Sequence, residues 1–439
     1  MTVHFDDALS RTIEVAGTLK APSNAVFVVR DVLGRSRIII SGAERPSDEL
    51  QAAALDALTD LEAFAPGPDP ILWADELLSP DSILTDPTAR VVETGPGQTA
   101  EVTVLERTLV GSDWQVVTEP TETDGSTVVA LYSLKGGVGR STAAAFLADN
   151  LASTGSTVLL IDLDLESPGI GPLLLDPEAL PDFGVVDILV EGAVGIDAAH
   201  EAIVQLPRVF ERGTGEIWLA PASGRARDGY TFLPKLSRAY LDAPSLDPEG
   251  DVHPFAERLQ DAITALVAAV EARSSRPNIV LLDCRAGVQD VAAVAITHLA
   301  NHALLFAADT DQTWWGYAQL FQQWAERPHE AKAIRERLKL VASMVDRGEP
   351  DEYLSRFREN AAGLFETLYD RADADDPDAF NPPIDDEAAP HSPLPIFFDA
   401  ELHHARRETF GAALENELIR ASFGPFFEGI THLLETGTA

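Results

Sequence analysis

The chain has 439 residues, too many for one average domain, and its 45% hydrophobic content is enough to bury a large core. Its formal net charge of −39 argues against a broad basic face, and with it against nonspecific binding to nucleic-acid phosphates. With Cys284 as its one cysteine, the chain cannot form an internal disulfide or the paired-cysteine sites that hold zinc and iron–sulfur clusters.

In the N-terminal part, one segment predicts two strands about a Leu-Gly turn, AVFVVRDVLGRSRIIISG. An amphipathic helix, SDELQAAALDALTDLEAFA, and a further extended segment, AEVTVLERTLVGSDWQVV, follow it. Turn-forming residues then fill TEPTETDGS. We therefore expect a small α+β module at residues 1–118 that binds a partner, a linker at 119–125, and a second domain at 126–439.

A glycine-rich loop opens the second domain, between the predicted strand TVVALYS and the predicted helix STAAAFLADNLAS. Its glycines allow successive backbone N–H groups to turn toward phosphates, and the helix adds its positive N-terminal end. Ser141 is the hydroxyl expected to bind Mg²⁺. The loop predicts a nucleoside triphosphate site made of Lys135, Gly136, Gly137, Val138, Gly139, Arg140, Ser141 and Thr142.

The loop departs from the strict GxxxxGK[ST] pattern, because Leu134 replaces the first glycine and Arg140 the usual lysine. With Lys135 just before the double glycine, it resembles the deviant P-loop of the ParA/MinD-type ATPases. That resemblance implies ATP, Mg²⁺ and a nucleotide-sandwich homodimer in which Lys135 reaches the partner's phosphates. We expect the planar guanidinium of Arg140 to hold the β and γ oxygens, which preserves binding and slows hydrolysis.

Two later strand ends carry carboxylates. The predicted strand in TVLLIDLDLESPG ends in Asp162 and Asp164, which project to the same side of an extended chain, and NIVLLDCRAG ends in Asp283. The resemblance implies that Asp162 and Asp283 lie near Mg²⁺ through water. It also implies that Asp164 orients the attacking water, with Lys135 as the second catalytic residue. Taken alone, Asp283 could equally cap the next helix.

The segment after Asp283 resembles the switch II turn of MinD-like proteins, where Arg285 could sense the phosphate or a partner, although a solvated turn residue is the preferred explanation. Further on, the base is expected near the end of KLVASMVDR. The usual asparagine is absent there, and Ser343, Asp346 and Arg347 lie in the neighbourhood. The choice of ATP over GTP therefore rests on the resemblance alone.

Two other segments of the second domain invite an interpretation, one between Asp164 and Asp283 and one near the end of the chain. A basic cluster could hold an acidic partner, although ordinary surface residues are the preferred explanation; its members are Arg225, Arg227, Lys235 and Arg238. The acidic, proline-rich segment RADADDPDAFNPPIDDEAAPHSP predicts a mobile insertion at 371–393.

Hydropathy predicts a cytoplasmic protein without a membrane span. MTVHFDDALSRT lacks the features of a secretory signal, and no run of about 18 apolar residues occurs. The last predicted helix, around FGPFFEGITHLLETG, is acidic, whereas a membrane-surface helix carries basic residues opposite its apolar face. We expect its aromatic residues Phe423, Phe426 and Phe427 to pack into the core instead.

These patterns predict an α/β protein, with a doubly wound, mostly parallel P-loop NTPase sheet preceded by a smaller α+β domain. The expected function is a slowly hydrolysing ATP switch that signals to a protein partner through the N-terminal module or the switch surface. Three alternatives remain: a non-hydrolysing ATP sensor or scaffold, a positioning or partition ATPase, and a regulatory ATPase of an operon-encoded antiphage defence system. A bacterial tyrosine kinase is disfavoured, because no tyrosine cluster follows Tyr369.

Overall fold

The computed structural model describes residues 2–94, 100–120, 125–206, 213–245, 252–371, 379–403 and 417–436. Its internal contacts divide the chain into two compact units, Met1–Val116 and Val117–Ala439. This division falls two residues before the predicted end of the N-terminal module.

The first unit is a five-stranded sheet with helices on it. Its elements are α1 (Phe5–Thr18), β1 (Asn24–Arg30), β2 (Ser36–Gly42), α2 (Asp48–Thr59), β3 (Ile71–Trp73), α3 (Asp81–Leu84), β4 (Arg90–Glu93) and β5 (Glu101–Glu106). The strand order is β3-β2-β1-β5-β4; β1 is antiparallel to β2 and parallel to β5. Helix α1 contacts β1, β2 and β5, and the apolar side chains between them form the core of this unit.

The second unit is an eight-stranded sheet in the order β13-β12-β11-β6-β10-β7-β9-β8. Its strands are β6 (Thr127–Ser133), β7 (Thr157–Leu163), β8 (Val204–Gln205), β9 (Glu216–Ala220), β10 (Ile279–Cys284), β11 (His302–Ala307), β12 (Leu338–Val345) and β13 (Leu394–Phe397). Every pairing is parallel except that of β8 with β9. The predicted fold class of this domain is confirmed.

Helices connect these strands and cover the sheet. They are α4 (Arg140–Ser153), α5 (Ile170–Leu174), α6 (Val185–Gly192), α7 (Phe232–Ala239), α8 (Phe255–Glu271), α9 (Asp290–Val294), α10 (Asp311–Ala325), α11 (Pro328–Arg335), α12 (Pro350–Phe365), α13 (Ala400–His403) and α14 (Glu417–Thr436). Strands β7 and β10 are buried at every residue, which is why their sequences are continuous apolar runs. No described helix is long and apolar enough to cross a membrane.

The C-terminal helix α14 packs its aromatic side chains inward, as predicted. Phe423, Phe426 and Phe427 are buried, and the Phe423 ring lies 5.1 Å from that of Phe146 on α4. Helix α14 therefore packs against α4, the helix that follows the glycine-rich loop.

Part of the acidic segment 371–393 contacts the body of the second unit; residues 372–378 lie outside the described residues. His391 and Ser392 are buried, and the Lys339 ammonium donates hydrogen bonds to three carbonyls of the segment, with the Ala389 oxygen at 2.7 Å. Burial lowers the pKa of Lys339 to about 8. The mobile insertion at 371–393 stays a prediction; within it, the backbone carbonyls of residues 387–389 solvate a buried lysine, which composition does not reveal.

Candidate functional site

The glycine-rich loop joins the carboxyl end of β6 to α4, which begins at Arg140. Gly137 and Gly139 each have a φ of +80°, a conformation that L side chains rarely adopt. A Cβ atom added at Gly136, Gly137 or Gly139 would meet nothing within 4 Å. Close packing does not explain these glycines. The positive φ values favour glycine, and the space in front of the loop backbone is open.

A cavity of about 350 Å³ lies over this loop. Residues 136–142, Ser133 and Asp164 line its polar side. Its apolar side comes from the ends of β12 and β13 and the helices after them, with Met344, Ile396, Phe397, Phe398, Leu402 and Phe423. A volume in this range suits a small organic ligand with one polar and one apolar end.

The apolar wall contains a strained residue. Met344 has a φ of +60°, which costs an unbranched L residue on the order of 1 kcal/mol and is often found at functional sites. The neighbours that the sequence indicated are engaged within the chain. Ser343 is buried and donates to the Ala307 carbonyl at 3.2 Å, and Arg347 donates to the Ser422 hydroxyl at 2.6 Å. The sequence did not indicate the wall at 396–398.

Asp162 and Asp283 are cross-strand neighbours on β7 and β10, and both are buried. The Asp162 carboxylate accepts backbone hydrogen bonds from Asp164 at 3.0 Å, Gly169 at 3.1 Å and Ile170 at 3.2 Å. Burial first, and then the charge of Asp283, raise the pKa of Asp162 to about 7. Asp162 therefore fixes the turn that follows β7.

Arg140 lines the cavity, but its guanidinium is directed toward the carboxylate of Asp283. Its side chain is 8% exposed, and its Nε donates to Asp283 Oδ1 at 2.6 Å. Nη1 donates to Ser133 Oγ at 3.3 Å, and Nη2 lies 3.5 Å from Ser141 Oγ and 3.9 Å from Asp164 Oδ2. Burial acts to lower the pKa of Arg140, but the charge and hydrogen bond of Asp283 raise it on balance.

This placement differs from the expectation that Arg140 holds phosphate oxygens. A guanidinium removed from water needs an anionic partner close to it, and Asp283 is the partner that β10 places beside the loop. Asp283 does not cap the following helix, which begins at Asp290 with Gln289 at the N-cap position. The structure brings Arg140, Ser141, Asp162, Asp164 and Asp283 together, as the motifs predict, but in a different pattern of contacts.

A second arginine joins the two strand ends. Arg285 Nη1 lies 2.9 Å from Glu166 Oε2 and 3.8 Å from Asp164 Oδ1, and the Tyr240 hydroxyl donates to Glu166. Burial raises the pKa of Asp164, while Arg140 and Arg285 act to lower it. Arg285 is thus an ion-pairing residue between the segments after β7 and β10. Glu166 was recognisable as the third acidic residue of DLDLE; Tyr240 carried no signal.

The turn after β10 is tied to the strand before the loop. The Gly287 N–H donates to the Ser133 carbonyl at 3.0 Å, and the buried Tyr132 hydroxyl donates to the Gly287 carbonyl at 3.1 Å. Gly287 has a φ of +90°. Any displacement of this turn must therefore break contacts with the base of the loop.

Lys135 is exposed at the rim of the loop. The basic cluster farther along the chain is not a free surface: Arg225 and Arg227 pair with Asp182, and the Lys235 ammonium lies 2.5 Å from the fully buried Asp187. These ion pairs support the ordinary structural explanation for the cluster over an acidic partner.

The residues predicted to surround Mg²⁺, with Asp162 and Asp283 acting through water, are engaged with other groups of the chain. Ser141 lines the cavity, but Asp283 is bonded to Arg140 and both Asp162 oxygens accept backbone N–H groups. The carboxylates are instead committed to the chain's own donors, which sequence motifs do not reveal.

The sheet order and the loop at the β6–α4 junction define a P-loop NTPase fold. The family described as an AAA domain matches residues 126–168, which contain the loop, Asp162 and Asp164. No curated protein sequence matches the chain. The family match is consistent with a ParA/MinD-type P-loop ATPase, as the deviant loop indicates.

Solved structures that match the chain include three proteins of low sequence identity. The ParA family ATPase from Chlorobium tepidum TLS is 14% identical, with 69% of this chain and 98% of that chain covered and a TM-score of 0.44. McdA from Cyanothece, in a complex with ATP, is 17% identical, with coverages of 71% and 97% and a TM-score of 0.42. MinD in the MinC:MinD cell division complex from Aquifex aeolicus represents a shorter match, at 20% identity, coverages of 52% and 72% and a TM-score of 0.32.

Proposed function

We propose that the second unit binds ATP in the cavity over the glycine-rich loop and acts as a slowly hydrolysing switch. The observation that carries this proposal is the loop itself: two glycines at φ +80°, with open space before them, at the N-terminus of α4. Phosphates would lie against the amides of 136–142, and the base would lie against the wall formed by Met344, Ile396 and Phe398. Preference for ATP over GTP rests on the family resemblance.

We assign the catalytic roles to Asp164 and Lys135. Asp164 lines the cavity and is the carboxylate of the cluster that reaches its surface, so it is placed to orient a water near the terminal phosphate. Slow turnover follows from Arg140, because its guanidinium is bound to Asp283 and cannot follow charge as it redistributes on the transferring group.

Signalling would use the segments after β7 and β10. Arg285 bridges them through Glu166 and Asp164, and Tyr240 extends this contact to the end of α7. A terminal phosphate near Asp164 would compete for Arg285 and so change the geometry of both segments. We propose that a protein partner reads this change, at the switch surface or through the N-terminal unit.

Homodimerisation on ATP binding is part of this proposal. Lys135 is exposed at the rim, where its ammonium can reach phosphates outside its own subunit. Val288, in the turn after β10, and Trp315, on α10, are both more than half exposed, at 53% and 70%, and offer apolar contact area.

A non-hydrolysing ATP sensor is the second candidate. The 2.6 Å hydrogen bond between Arg140 and Asp283 favours it, because it directs the guanidinium away from the phosphates and leaves the loop amides to bind them. Positioning and defence-regulating roles use the same chemistry and differ in the partner. A phosphate-release assay at saturating ATP distinguishes switch from sensor.

Calorimetric titration of ATP into the wild type, Gly137→Ala and Gly229→Ala tests the nucleotide site. Gly229 is a matched control, since its φ is +83° and an added Cβ atom there also meets nothing within 4 Å. Both variants carry a similar backbone strain of about 1 kcal/mol. We expect Gly137→Ala alone to weaken ATP binding by more than about tenfold. Absence of binding to the wild type, or equal binding by Gly137→Ala, contradicts the proposal.

A further inference from the structure

The acidic cluster under the loop already contains a cation from the chain itself. Asp162, Asp164 and Asp283 converge at the carboxyl ends of β7 and β10, and the Arg140 guanidinium lies among them. One nitrogen is 2.6 Å from Asp283, and another is 3.9 Å from Asp164 and 3.5 Å from the Ser141 hydroxyl. The carboxylates and the hydroxyl that would surround a divalent cation therefore surround a guanidinium.

Two arginines partly compensate the charges of Asp162, Asp164, Asp283 and Glu166 without a metal. Arg140 contacts Asp283 and Asp164, Arg285 contacts Asp164, and Asp162 is held by three backbone N–H groups. A dication entering here would lie close to a buried guanidinium that is only 8% exposed. Repulsion between like charges is strong in such a site, because little water is present to screen it.

We propose that Arg140 replaces the divalent cation in this cluster, so that nucleotide binds with little dependence on Mg²⁺. The inference rests on the proposed nucleotide site and deepens it. The guanidinium neutralises the strand-end carboxylates and thereby removes their repulsion of a polyphosphate. The loop amides and the N-terminus of α4 then hold the phosphates directly. A lysine at this position has one point charge and cannot fork between Asp283, Ser133 and Asp164.

The test is calorimetric binding of ADP, and separately of a non-hydrolysable ATP analogue, to the full-length wild type in excess Mg²⁺ and in EDTA. We expect the two dissociation constants for each nucleotide to agree within about threefold. A loss of more than about tenfold in EDTA overturns the inference while leaving the nucleotide site standing. Failure to bind in both conditions overturns the nucleotide site and this inference together.

The Arg140→Lys variant tests whether Arg140 is the cause of the weak dependence on Mg²⁺. We expect its nucleotide affinity to fall by at least about tenfold when Mg²⁺ is replaced by EDTA. Arg107→Lys is the matched control, since Arg107 pairs with Asp86 at 2.9 Å in the first unit, and its ratio should equal that of the wild type. If Arg140→Lys also binds equally in both conditions, the guanidinium is not the cause and the inference fails. Circular dichroism of both variants confirms that they are folded.

Discussion

Replacing Asp283 by Asn tests the ion pair on which the description of the site depends. Asp283 is 1% exposed and Arg140 is 8% exposed, so neither group can exchange its partner for bulk water. Removing the charge of Asp283 leaves the buried guanidinium largely uncompensated, with Asp164 at 3.9 Å as its remaining carboxylate contact, and breaking a buried pair in this way costs about 3–5 kcal/mol. Adding Arg140→Met to Asp283→Asn removes that uncompensated charge, so the double variant should be more stable than Asp283→Asn alone.

Urea unfolding followed by far-ultraviolet circular dichroism measures these stabilities. The matched control is Asp182→Asn, because Asp182 pairs with Arg225 where both side chains are nearly half exposed. An exposed pair contributes at most about 1 kcal/mol, so the control should change little. If Asp283→Asn costs no more than Asp182→Asn, or if Arg140→Met makes it worse, Arg140 is not held by Asp283 and the account of the site is refuted.

Three further predictions concern turnover, dimerisation and pH. Arg140→Lys should raise steady-state hydrolysis, because an ammonium can follow the phosphoryl oxygens; equal or slower phosphate release would make Arg140 a working catalytic residue. Lys135→Ala should retain nucleotide binding but reduce the dimer fraction in sedimentation with a slowly hydrolysed ATP analogue, and an unchanged fraction would rule out its action across the dimer. Burial raises the pKa of Asp149 from 3.8 to about 8, so its protonated form is favoured in the folded state and wild-type stability should fall as the pH rises through that range. Asp149→Asn should show a smaller decline in urea unfolding between about pH 5 and about pH 9, because Asp162, with its pKa raised to about 7, still contributes; a decline as large as that of the wild type would contradict the assignment.

The parts of the site that follow from local chemistry could be predicted from the sequence. The loop is marked by its glycines, whose positive φ values leave few alternatives, and the buried runs of β7 and β10 end where their carboxylates appear. Because parallel strands end at one edge, Asp162 and Asp283 had to lie near the loop. These constraints are local, so residue type and order reveal them.

The contacts among these residues depend on packing and could not be predicted. A motif places Arg140 at the start of α4 but does not determine whether its side chain points to a phosphate or to Asp283. The ion pair of Arg285 with Glu166 joins the segments after β10 and β7, so it depends on how these two strands pack together. Likewise, only the position of Lys339 shows why part of an acidic, proline-rich segment is anchored.

Photolabelling with an azido-adenine analogue of ATP, followed by mass spectrometry of the labelled peptides, tests the central claim most directly. The claim is that nucleotide occupies the cavity between the loop and the wall formed by the ends of β12 and β13. The account predicts a label near Met344 or within residues 396–402 that unlabelled ATP prevents and that Gly137→Ala reduces. A label confined to other peptides, or one that excess ATP does not reduce, would contradict it.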